Sequence, residues 1–353
     1  MGAETPVKVL VTGAGGFLGG AIARQLVAHG DTVHSFSRGD YAELTELGVV
    51  QFRGDLGSAA AVALAAEGCH AVYHVAAKAG SWGAYEDYYR INVVGTEHVL
   101  AACRQHGIRD LVYTSSPSVV AHSGDMEGVD ESAPYPEHFE AHYPETKSQA
   151  ERLILAASCD ALRTAALRPH FIWGPRDTSL LPRLIQRSRS GRLRRIRGPE
   201  KLVDVTYIDD AASAHLLAMD GLRAGGASAR RVAGKAYFIS SGQPIPLWEM
   251  IDHLLVAVGE PKVTRSVSPR AAFVAGWVFE KLHTILGRED EPPMTRWVAR
   301  VMTTAHWFDI SAARNDFGYS PSVSLDDGLV RLAAWHRSER LALPRGSPTA
   351  EIV

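Results

Sequence analysis

Hydrophobic and polar positions follow two different periods in the first half of the chain. Short apolar runs rich in β-branched residues, beginning with 7–12 and 32–37, predict strands, because such residues fit a pleated, buried surface. Segment 17–30 instead has apolar residues at helical spacing. Strands that alternate with helices predict an α/β fold with a Rossmann-type, doubly wound parallel sheet. Further strands are predicted over 49–55, 70–77, 110–116 and 164–174, and a long helix over 85–106.

The pattern becomes less regular beyond Gly174. Helices are predicted over 179–190, 208–219 and 247–258, and residues 234–240 predict one more strand that rejoins the sheet. We therefore expect a dinucleotide-binding domain over 1–175 that carries the catalytic residues, and a smaller, discontinuous, mainly substrate-binding lobe over 176–340. The tail, 341–353, is rich in Pro, Ser and Gly, which predicts disorder.

Composition is that of an ordinary globular protein. Of 353 residues, 46% are hydrophobic and 22% charged, and the net charge of −2 gives no reason to expect a nucleic-acid partner. The three cysteines are widely spaced and form neither a disulfide framework nor a zinc-binding pattern. The first residues lack the basic segment of a signal peptide. We therefore expect a cytoplasmic protein without a bound metal.

One apolar stretch, residues 271–282, raises the question of membrane contact. Glu280 and Lys281 interrupt it well short of the roughly 20 residues that span a bilayer, so we expect no transmembrane segment. Two interpretations stay open. The stretch is either a helix that covers an apolar pocket or a helix that lies on a membrane surface, which would make the protein peripheral to the membrane.

A glycine-rich sequence, TGAGGFLGG, separates the first predicted strand from the first predicted helix. Gly13, Gly16 and Gly19 have the spacing that permits a tight turn and the close approach of a pyrophosphate to free helix N–H groups. Phe17 and Leu18 lie within this segment. The order of strand, glycine cluster and helix predicts a dinucleotide site at the first turn of the sheet.

The end of the second strand bears on the choice of nicotinamide cofactor. An acidic residue there would bind the ribose 2′-hydroxyl of NAD, whereas an arginine favours the 2′-phosphate of NADP. Here the strand ends in Ser37 and Arg38, and the first carboxylate comes at Asp40. We expect NADP(H) to be preferred, with NAD(H) left open, and Arg38 to bind the phosphate. Asp55, after the third strand, is a candidate acceptor for the adenine amine or a helix cap.

The sequence AHYPETK places a tyrosine before a proline and a lysine one helical turn later. Since proline is tolerated in a first helical turn, Tyr143 and Lys147 are expected on one face near a helix N-terminus. The strand before them ends in Ser115 and Ser116, at the edge where doubly wound sheets bind ligands. A nearby ammonium should lower the phenol's pKa from its ordinary value of about 10. These residues predict carbonyl/alcohol redox chemistry in which Tyr143 moves the proton.

Several motifs together resemble the extended short-chain dehydrogenase/reductase family, from about residue 7 to 335. They are TGAGGFLG, Asp55-Leu56, HVAA, NVVGT, YTSS, YPETK and LRPHFIWGP. The resemblance implies an NAD(P)-dependent oxidoreductase with a Ser116, Tyr143 and Lys147 triad. It implies that Asn92 lies near the nicotinamide ribose, with a buried asparagine bound by backbone groups as the alternative. Further cofactor contacts are implied for Leu56, Ala76, Pro169, Tyr143 and Lys147.

The chain departs from the sugar-nucleotide dehydratases, because no acidic residue follows Ser116 in PSVV. Epimerase activity stays open. LRPHFIWGP, TYIDDAASAH, GKAYFIS and AHWFDISAARNDFGYSP are more similar to the 3β-hydroxysteroid dehydrogenase branch. SFSRGDY, AAKAGSWG and TSSPSVV are similar to reductases of 2-alkyl-3-oxoalkanoic acids in bacterial long-chain olefin biosynthesis. This resemblance implies two protein partners, the β-lactone-forming synthetase and the decarboxylating hydrolase of that pathway; a homodimer is another option.

The predicted lobe agrees with a long apolar substrate. Residues that suit a hydrocarbon channel, or the internal packing of the lobe, are Trp277, Phe279, Leu282, Ile285, Trp297, Val301 and Trp307. A keto acid also needs a cation for its carboxylate, and the candidates near predicted strand ends are Lys78, His170 and Arg176. Seven arginines between Arg183 and Arg197 are typical of a solvated face, with contact to a polyanion, a partner protein or a carboxylate as the alternative.

We therefore predict an NADPH-dependent reductase of a long-chain β-keto acid. The enzymatic alternative is a 3β-hydroxysteroid dehydrogenase, with or without isomerase activity, and a sugar-nucleotide epimerase is a weaker one. Outside enzymes, the alternative is an NADP-binding regulator on the same fold. The intact Ser116, Tyr143 and Lys147 argue against it, since such regulators usually lack the tyrosine and the lysine.

Overall fold

The computed structural model describes residues 7–342. The strands in this part are β1 Lys8–Thr12, β2 Thr32–Ser37, β3 Val50–Arg53, β4 Ala71–His74, β5 Asp110–Thr114, β6 Met126–Val129, β7 Arg163–Pro169, β8 Ile172–Trp173, β9 Arg195–Ile196, β10 Leu202–Val203, β11 Thr206–Tyr207, β12 Lys235–Ile239, β13 Ile245–Pro246, β14 Ser266–Val267 and β15 His306–Phe308.

The helices in the same part are α1 Phe17–His29, α2 Ala42–Glu46, α3 Ala59–Ala66, α4 Tyr85–Tyr88, α5 Gly95–Gln105, α6 His142–Ala156, α7 Leu180–Arg189, α8 Ile208–Arg223, α9 Gly226–Val232, α10 Leu247–Ala257, α11 Pro269–Ile285, α12 Arg296–Val301, α13 Ser311–Phe317 and α14 Leu325–Ala342. A π-helical segment covers Tyr89–Val94, and a 3₁₀-helix covers Pro117–Val120.

Seven strands form one parallel sheet in the order β12-β7-β5-β4-β1-β2-β3. The strand order reverses beside β1, which pairs with β2 on one side and β4 on the other. The carboxyl ends of the strands therefore open a crevice at this point, where such sheets bind ligands. The predicted doubly wound, Rossmann-type sheet is confirmed. β12 pairs with β7 only after the chain has passed through the lobe.

Both faces of this sheet are covered by helices, because successive side chains of a strand point to opposite faces and both are apolar here. In β1, Val9 and Val11 belong to the hydrophobic cluster that includes side chains of α1 and α8. Leu10, between them, belongs to a second cluster with side chains of α3, α5 and α6. The edge of the sheet between these two layers is thus the place left for a ligand.

The long helix predicted over 85–106 is interrupted. α4 ends at Tyr88, and a π-helical segment covers Tyr89–Val94 before α5 begins at Gly95. Such widened turns are rare and often occur at functional sites. This one contains Asn92, a buried polar residue that the family resemblance predicts to lie near the nicotinamide ribose.

Two predicted boundaries are wrong. The strand predicted over 164–174 is two strands, because Phe171, with a φ of 43°, turns the chain out of the sheet after β7. β8 then pairs with β11 instead. The tail predicted to be disordered from residue 341 starts inside α14, which extends to Ala342, and its remaining residues, 343–353, lie outside the described part.

The lobe is built from smaller pieces than the sheet domain. Its four-stranded sheet has the order β13-β10-β15-β6. In the described part, helices α11 and α12 share a cluster of only three buried apolar residues, Ile196, Ala272 and Ala299, with four partly buried neighbours. Within residues 7–342, no helix combines the length and the apolar character needed to cross a membrane.

A buried ion pair holds α6 against β7. The Arg168 guanidinium donates two hydrogen bonds to the Glu151 carboxylate, at 2.6 and 3.0 Å. The two side chains are 3% and 0% exposed. The Tyr135 hydroxyl donates to the same carboxylate at 2.6 Å. Removing one partner of such a pair leaves the other charge buried and uncompensated.

We predict that Arg168→Met lowers the free energy of unfolding by about 3–5 kcal/mol, because the Glu151 carboxylate stays buried without its cation. The control Arg189→Met removes an ion pair with Glu260 in which the arginine is 45% exposed. That loss should stay below about 1 kcal/mol. Chemical denaturation compares the two variants, and equal losses would contradict the assignment.

Candidate active site

The glycine-rich loop after β1 is closely packed, which explains its composition. Gly13 has a φ of 75°, and a Cβ atom on it would lie 2.9 Å from the Ala76 backbone. The Gly16 N–H donates to the Gly13 carbonyl at 2.9 Å, and a Cβ atom on Gly19 would overlap that carbonyl. α1 then begins at Phe17, and none of the described side chains caps its N-terminus. The N–H groups of the first turn of α1, next to this cradle of glycines, therefore fit a dinucleotide pyrophosphate.

The end of β2 lies beside this loop. The Gly15 N–H donates to Ser37 Oγ at 3.2 Å, which ties the loop to the strand. Arg38 is exposed, and within residues 7–342 its guanidinium forms no hydrogen bond or ion pair. The Tyr41 ring occupies the space where a side chain at Gly15 would lie. The structure thus leaves one unpaired cation next to the pyrophosphate cradle, a charge that suits a 2′-phosphate.

Asp55 follows β3 with one carboxylate oxygen already bound. This oxygen accepts from Arg90 Nη1 at 2.5 Å and from the Gly57 N–H at 2.7 Å. Burial alone would raise the pKa of the Asp55 carboxyl, but these hydrogen bonds outweigh it and the pKa is lowered. The alternative role as a helix cap is wrong, because Ser58 caps α3.

The other residues predicted to contact the cofactor differ in exposure. Leu18, Leu56 and Pro169 are buried at the carboxyl edge of the sheet. Phe17 and Ala76 are partly exposed at the same edge. All five therefore lie at or directly below the crevice.

Asn92 joins three elements around the crevice. Its Oδ1 accepts from the Lys78 N–H at 2.7 Å, and its Nδ2 donates to the Lys78 carbonyl at 3.0 Å. The same Nδ2 donates to Thr146 Oγ1 at 3.0 Å. The asparagine thereby fixes the loop after β4 against α6, between Tyr143 and Lys147. The alternative of an asparagine bound by backbone groups accounts for two of these three hydrogen bonds, and the third is with the Thr146 side chain.

A second polar network lies at the ends of β1 and β4, and it was not predicted from the sequence. His74 lies 2.8 Å from Thr12 Oγ1 and 3.0 Å from Thr96 Oγ1. Thr12 Oγ1 also accepts from the N–H groups of Val75 and Ala76. Burial, with the charge of Lys147, lowers the pKa of His74 to about 3, so the ring is neutral. The sequence did contain an indication of this network, because His74 is a polar residue at the end of the otherwise apolar strand β4.

The structure brings Ser116, Tyr143 and Lys147 together. Ser116 follows β5 and accepts from the Ser118 N–H at 3.2 Å, which caps the 3₁₀-helix. Tyr143 lies in the first turn of α6, with the Ser116 hydroxyl close enough to its phenol to oppose the rise in pKa that burial causes. Lys147, buried one turn later, donates to the Thr114 carbonyl at 2.6 Å.

The pKa of Tyr143 is shifted in the direction opposite to the one expected from the sequence. Burial lowers the pKa of Lys147 to about 7, although the Glu151 carboxylate one turn further along α6 opposes the change. Burial raises the pKa of Tyr143, and only the Ser116 hydroxyl opposes this. The expected lowering by Lys147 is wrong for the protein by itself, because the ammonium points to Thr114 and lies 4.1 Å from the centre of the Tyr113 ring.

The structure pairs each of the three cations expected to bind a carboxylate with a protein group. Lys78 Nζ lies 2.8 Å from Asp87, and Arg176 lies 3.4 Å from Glu43. Both ring nitrogens of His170 are engaged, one by Asp204 at 2.6 Å and the other by His306 at 3.1 Å. Each of the three therefore has a different partner in the protein.

The arginine-rich segment is partly accounted for by ion pairs. Within the described residues, the ion pairs of this segment join Arg183 to Glu291, Arg189 to Glu260 and Arg195 to Asp252. Glu291 also accepts from the Ser81 N–H at 2.9 Å and from its hydroxyl at 2.5 Å. This contact connects the lobe to the loop after β4.

The apolar residues expected to line a hydrocarbon channel do not converge. Trp277, Leu282 and Ile285 lie exposed on α11, so for these three the expectation is wrong. Trp307 instead packs over Gly128 of β6, where a Cβ atom would lie 2.9 Å from its ring. The cause is the orientation of α11, which buries its small residues and turns its large ones outward.

Comparison with known proteins places this geometry in context. A model of the 3-beta hydroxysteroid dehydrogenase/isomerase family matches residues 10–269. Over 331 residues the chain is 50% identical to the 2-alkyl-3-oxoalkanoate reductase of Stenotrophomonas maltophilia, covering 93% of this chain and 99% of the relative. Over 346 residues it is 35% identical to the decarboxylating sterol-4-alpha-carboxylate 3-dehydrogenase erg26 of Schizosaccharomyces pombe, covering 94% and 98%.

Solved structures show the same fold. MoeE5, in complex with UDP-glucose and NAD, superposes with a TM-score of 0.71 at 24% identity, covering 94% of this chain and 99% of that chain. The predicted resemblance to the 3β-hydroxysteroid dehydrogenase branch, and to the group of 2-alkyl-3-oxoalkanoate reductases, is confirmed by the sequence matches.

Proposed function

The chain belongs to the 3-beta hydroxysteroid dehydrogenase/isomerase family and is an NAD(P)-dependent oxidoreductase, and from this premise we propose that it reduces a long-chain 2-alkyl-3-oxoalkanoic acid to the 2-alkyl-3-hydroxyalkanoic acid. The observation that carries the proposal is the 50% identity to a 2-alkyl-3-oxoalkanoate reductase over nearly the whole of both chains. The gathering of Ser116, Tyr143 and Lys147 at the end of β5 supports the redox chemistry.

The cofactor we propose is NADPH. The cradle of Gly13, Gly16 and Gly19 would hold the pyrophosphate, since a Cβ atom on Gly13 or Gly19 would collide with neighbouring backbone. Ser37 and the unpaired guanidinium of Arg38 would bind the 2′-phosphate. When bound, the nicotinamide supplies the hydride to the C3 carbonyl carbon.

The side chains of Ser116, Tyr143 and Lys147 would bring about the transfer of a proton to the C3 oxygen of the substrate. Because burial raises the pKa of Tyr143, the phenol is protonated at neutral pH and can donate its proton to the C3 oxygen. The Ser116 hydroxyl would donate a hydrogen bond to the same oxygen and so fix its position. Lys147, whose ammonium donates one hydrogen bond to the Thr114 carbonyl, would use its remaining N–H groups to hold the nicotinamide ribose.

The substrate class agrees with what two relatives are named for. In a 2-alkyl-3-oxoalkanoate the carboxylate is carried by the carbon next to the reacting C3. A sterol-4-alpha-carboxylate has the same relation between its carboxylate and carbon 3, and erg26 is a 3-dehydrogenase of that class. A 3β-hydroxysteroid without the carboxylate is the second candidate, favoured by the family description.

We expect purified protein to oxidise a long-chain 2-alkyl-3-hydroxy acid with NADP⁺, and to use a 3β-hydroxysteroid poorly. The absorbance of the reduced nicotinamide measures both reactions, with each substrate tested against NADP⁺ and NAD⁺. Turnover of the steroid with NAD⁺ and none of the hydroxy acid would reject both the substrate and the cofactor proposed here.

Cofactor choice gives a second prediction. Arg38→Ala should reduce the preference for NADPH over NADH, as the ratio of the two kcat/KM values, by about 10–100-fold, because a charge-assisted hydrogen bond to phosphate is lost. Arg230→Ala, an exposed arginine on α9, is the matched control and should leave the ratio unchanged. An unaltered ratio in the Arg38 variant would remove Arg38 from the phosphate site.

The proton donor gives a third prediction. Tyr143→Phe should lower kcat by about 10²–10⁴-fold, since the phenolic proton is lost while the ring stays in place. NADPH binding, followed by its fluorescence, should be retained. Tyr89→Phe, on the exposed side of the π-helical segment, is the control and should keep full activity. Substantial turnover by the Tyr143 variant would mean that another group donates the proton.

A further inference from the structure

Helix α11 has two contrasting faces. Its buried face carries the small residues Ala272 and Gly276 together with His283. Gly276 lies so close to α12 that a Cβ atom on it would be 2.7 Å from the Thr295 backbone. The helix is therefore fixed to the lobe by side chains that are mostly small, and its large side chains have no place on that side.

The opposite face is apolar and exposed. At about 100° per residue, the side chains that point away from the buried face are those of the large residues. Trp277 is 49% exposed and Ile285 is 78% exposed. The exposed apolar residues of α11 and its C-terminal cap are Phe273, Val274, Trp277, Val278, Leu282, Ile285 and Leu286. We call this set the outward face of α11.

Positive charge is interspersed in the outward face. Arg270 and Lys281 point to the same side, and neither forms a hydrogen bond or ion pair through its side chain within residues 7–342. Glu280 is the single acidic residue of α11, and its carboxylate accepts from the backbone and side chain of Arg296 at 2.7 and 2.6 Å. The face is thus both apolar and cationic.

We propose that the outward face of α11 binds the surface of an anionic phospholipid bilayer. Trp277 and the aliphatic side chains would enter the boundary between headgroups and acyl chains, and the helix would lie in the plane of the membrane. Arg270 and Lys281 would extend their charged ends to the lipid phosphates. A helix that could span the bilayer is absent from residues 7–342, so the contact is with one leaflet.

This composition favours a lipid surface over a protein partner. The outward side of α11 offers few uncharged hydrogen-bonding groups that could recognise a particular protein surface: the indole N–H of Trp277 and the Thr284 hydroxyl, which already donates to the Glu280 carbonyl. Its two cations match any anionic headgroup without a defined geometry. The proposal rests on the exposed face and not on the proposed substrate, so its test measures binding rather than turnover.

The full-length protein is sedimented with vesicles of phosphatidylcholine alone, and with vesicles that also contain about 30% phosphatidylglycerol. The wild type should bind the anionic vesicles. Trp277→Ser with Ile285→Ser should weaken binding by about tenfold or more, because the inserted apolar area is lost. The matched control, Leu64→Ser with Val330→Ser, changes exposed apolar residues on α3 and α14 and should bind as the wild type does.

Charge is tested separately. Arg270→Gln with Lys281→Gln should lower the affinity for anionic vesicles by about 10–30-fold and abolish the preference over neutral ones. Melting temperatures equal to the wild type show that each variant is folded. Absence of wild-type binding, or equal binding by the Trp277/Ile285 variant, overturns the proposal. So does a wild-type dimer that this variant dissociates without any vesicle binding, since the face is then an interface between two copies.

Discussion

The burial of the Lys147 ammonium is the constraint on which the arrangement of the site depends. A charge in this position is tolerated because the Thr114 carbonyl and the Tyr113 ring receive it, and because Glu151 lies one turn further along α6. Glu151 is itself held by Arg168 of β7. The helix is thereby fixed across two strands, and Tyr143 in its first turn is positioned above the end of β5.

Two polar side chains near this charge, His74 and Asn92, form hydrogen bonds that join separate elements of the crevice. His74 is uncharged because it is buried next to Lys147, and it links the ends of β1 and β4 through Thr12 and Thr96. Asn92 fixes the loop after β4 against α6. Any cofactor or substrate that enters the crevice meets preformed positions, so little ordering is required on binding.

The lobe differs from the sheet domain in how its apolar side chains are packed. Its helices α11 and α12 pack on few buried side chains, and the large apolar residues of α11 point outward. Hydrogen bonds from Ser81 to Glu291, and from the Trp82 indole to the Arg288 carbonyl, join the segment after α11 to the loop that Asn92 holds. A surface suited to lipid is therefore connected through a short polar path to the cofactor-binding edge.

Local spacing in the sequence determined the alternating strands and helices, the glycine cradle at Gly13, and the placement of Tyr143 and Lys147 on one helix face. These depend on residues close together along the chain. Only the tertiary structure decided that Lys78, His170 and Arg176 are paired, that burial raises the pKa of Tyr143, and that α11 turns Trp277 outward. Such features depend on which distant groups meet a side chain and how much water they exclude, and no spacing along the chain encodes either.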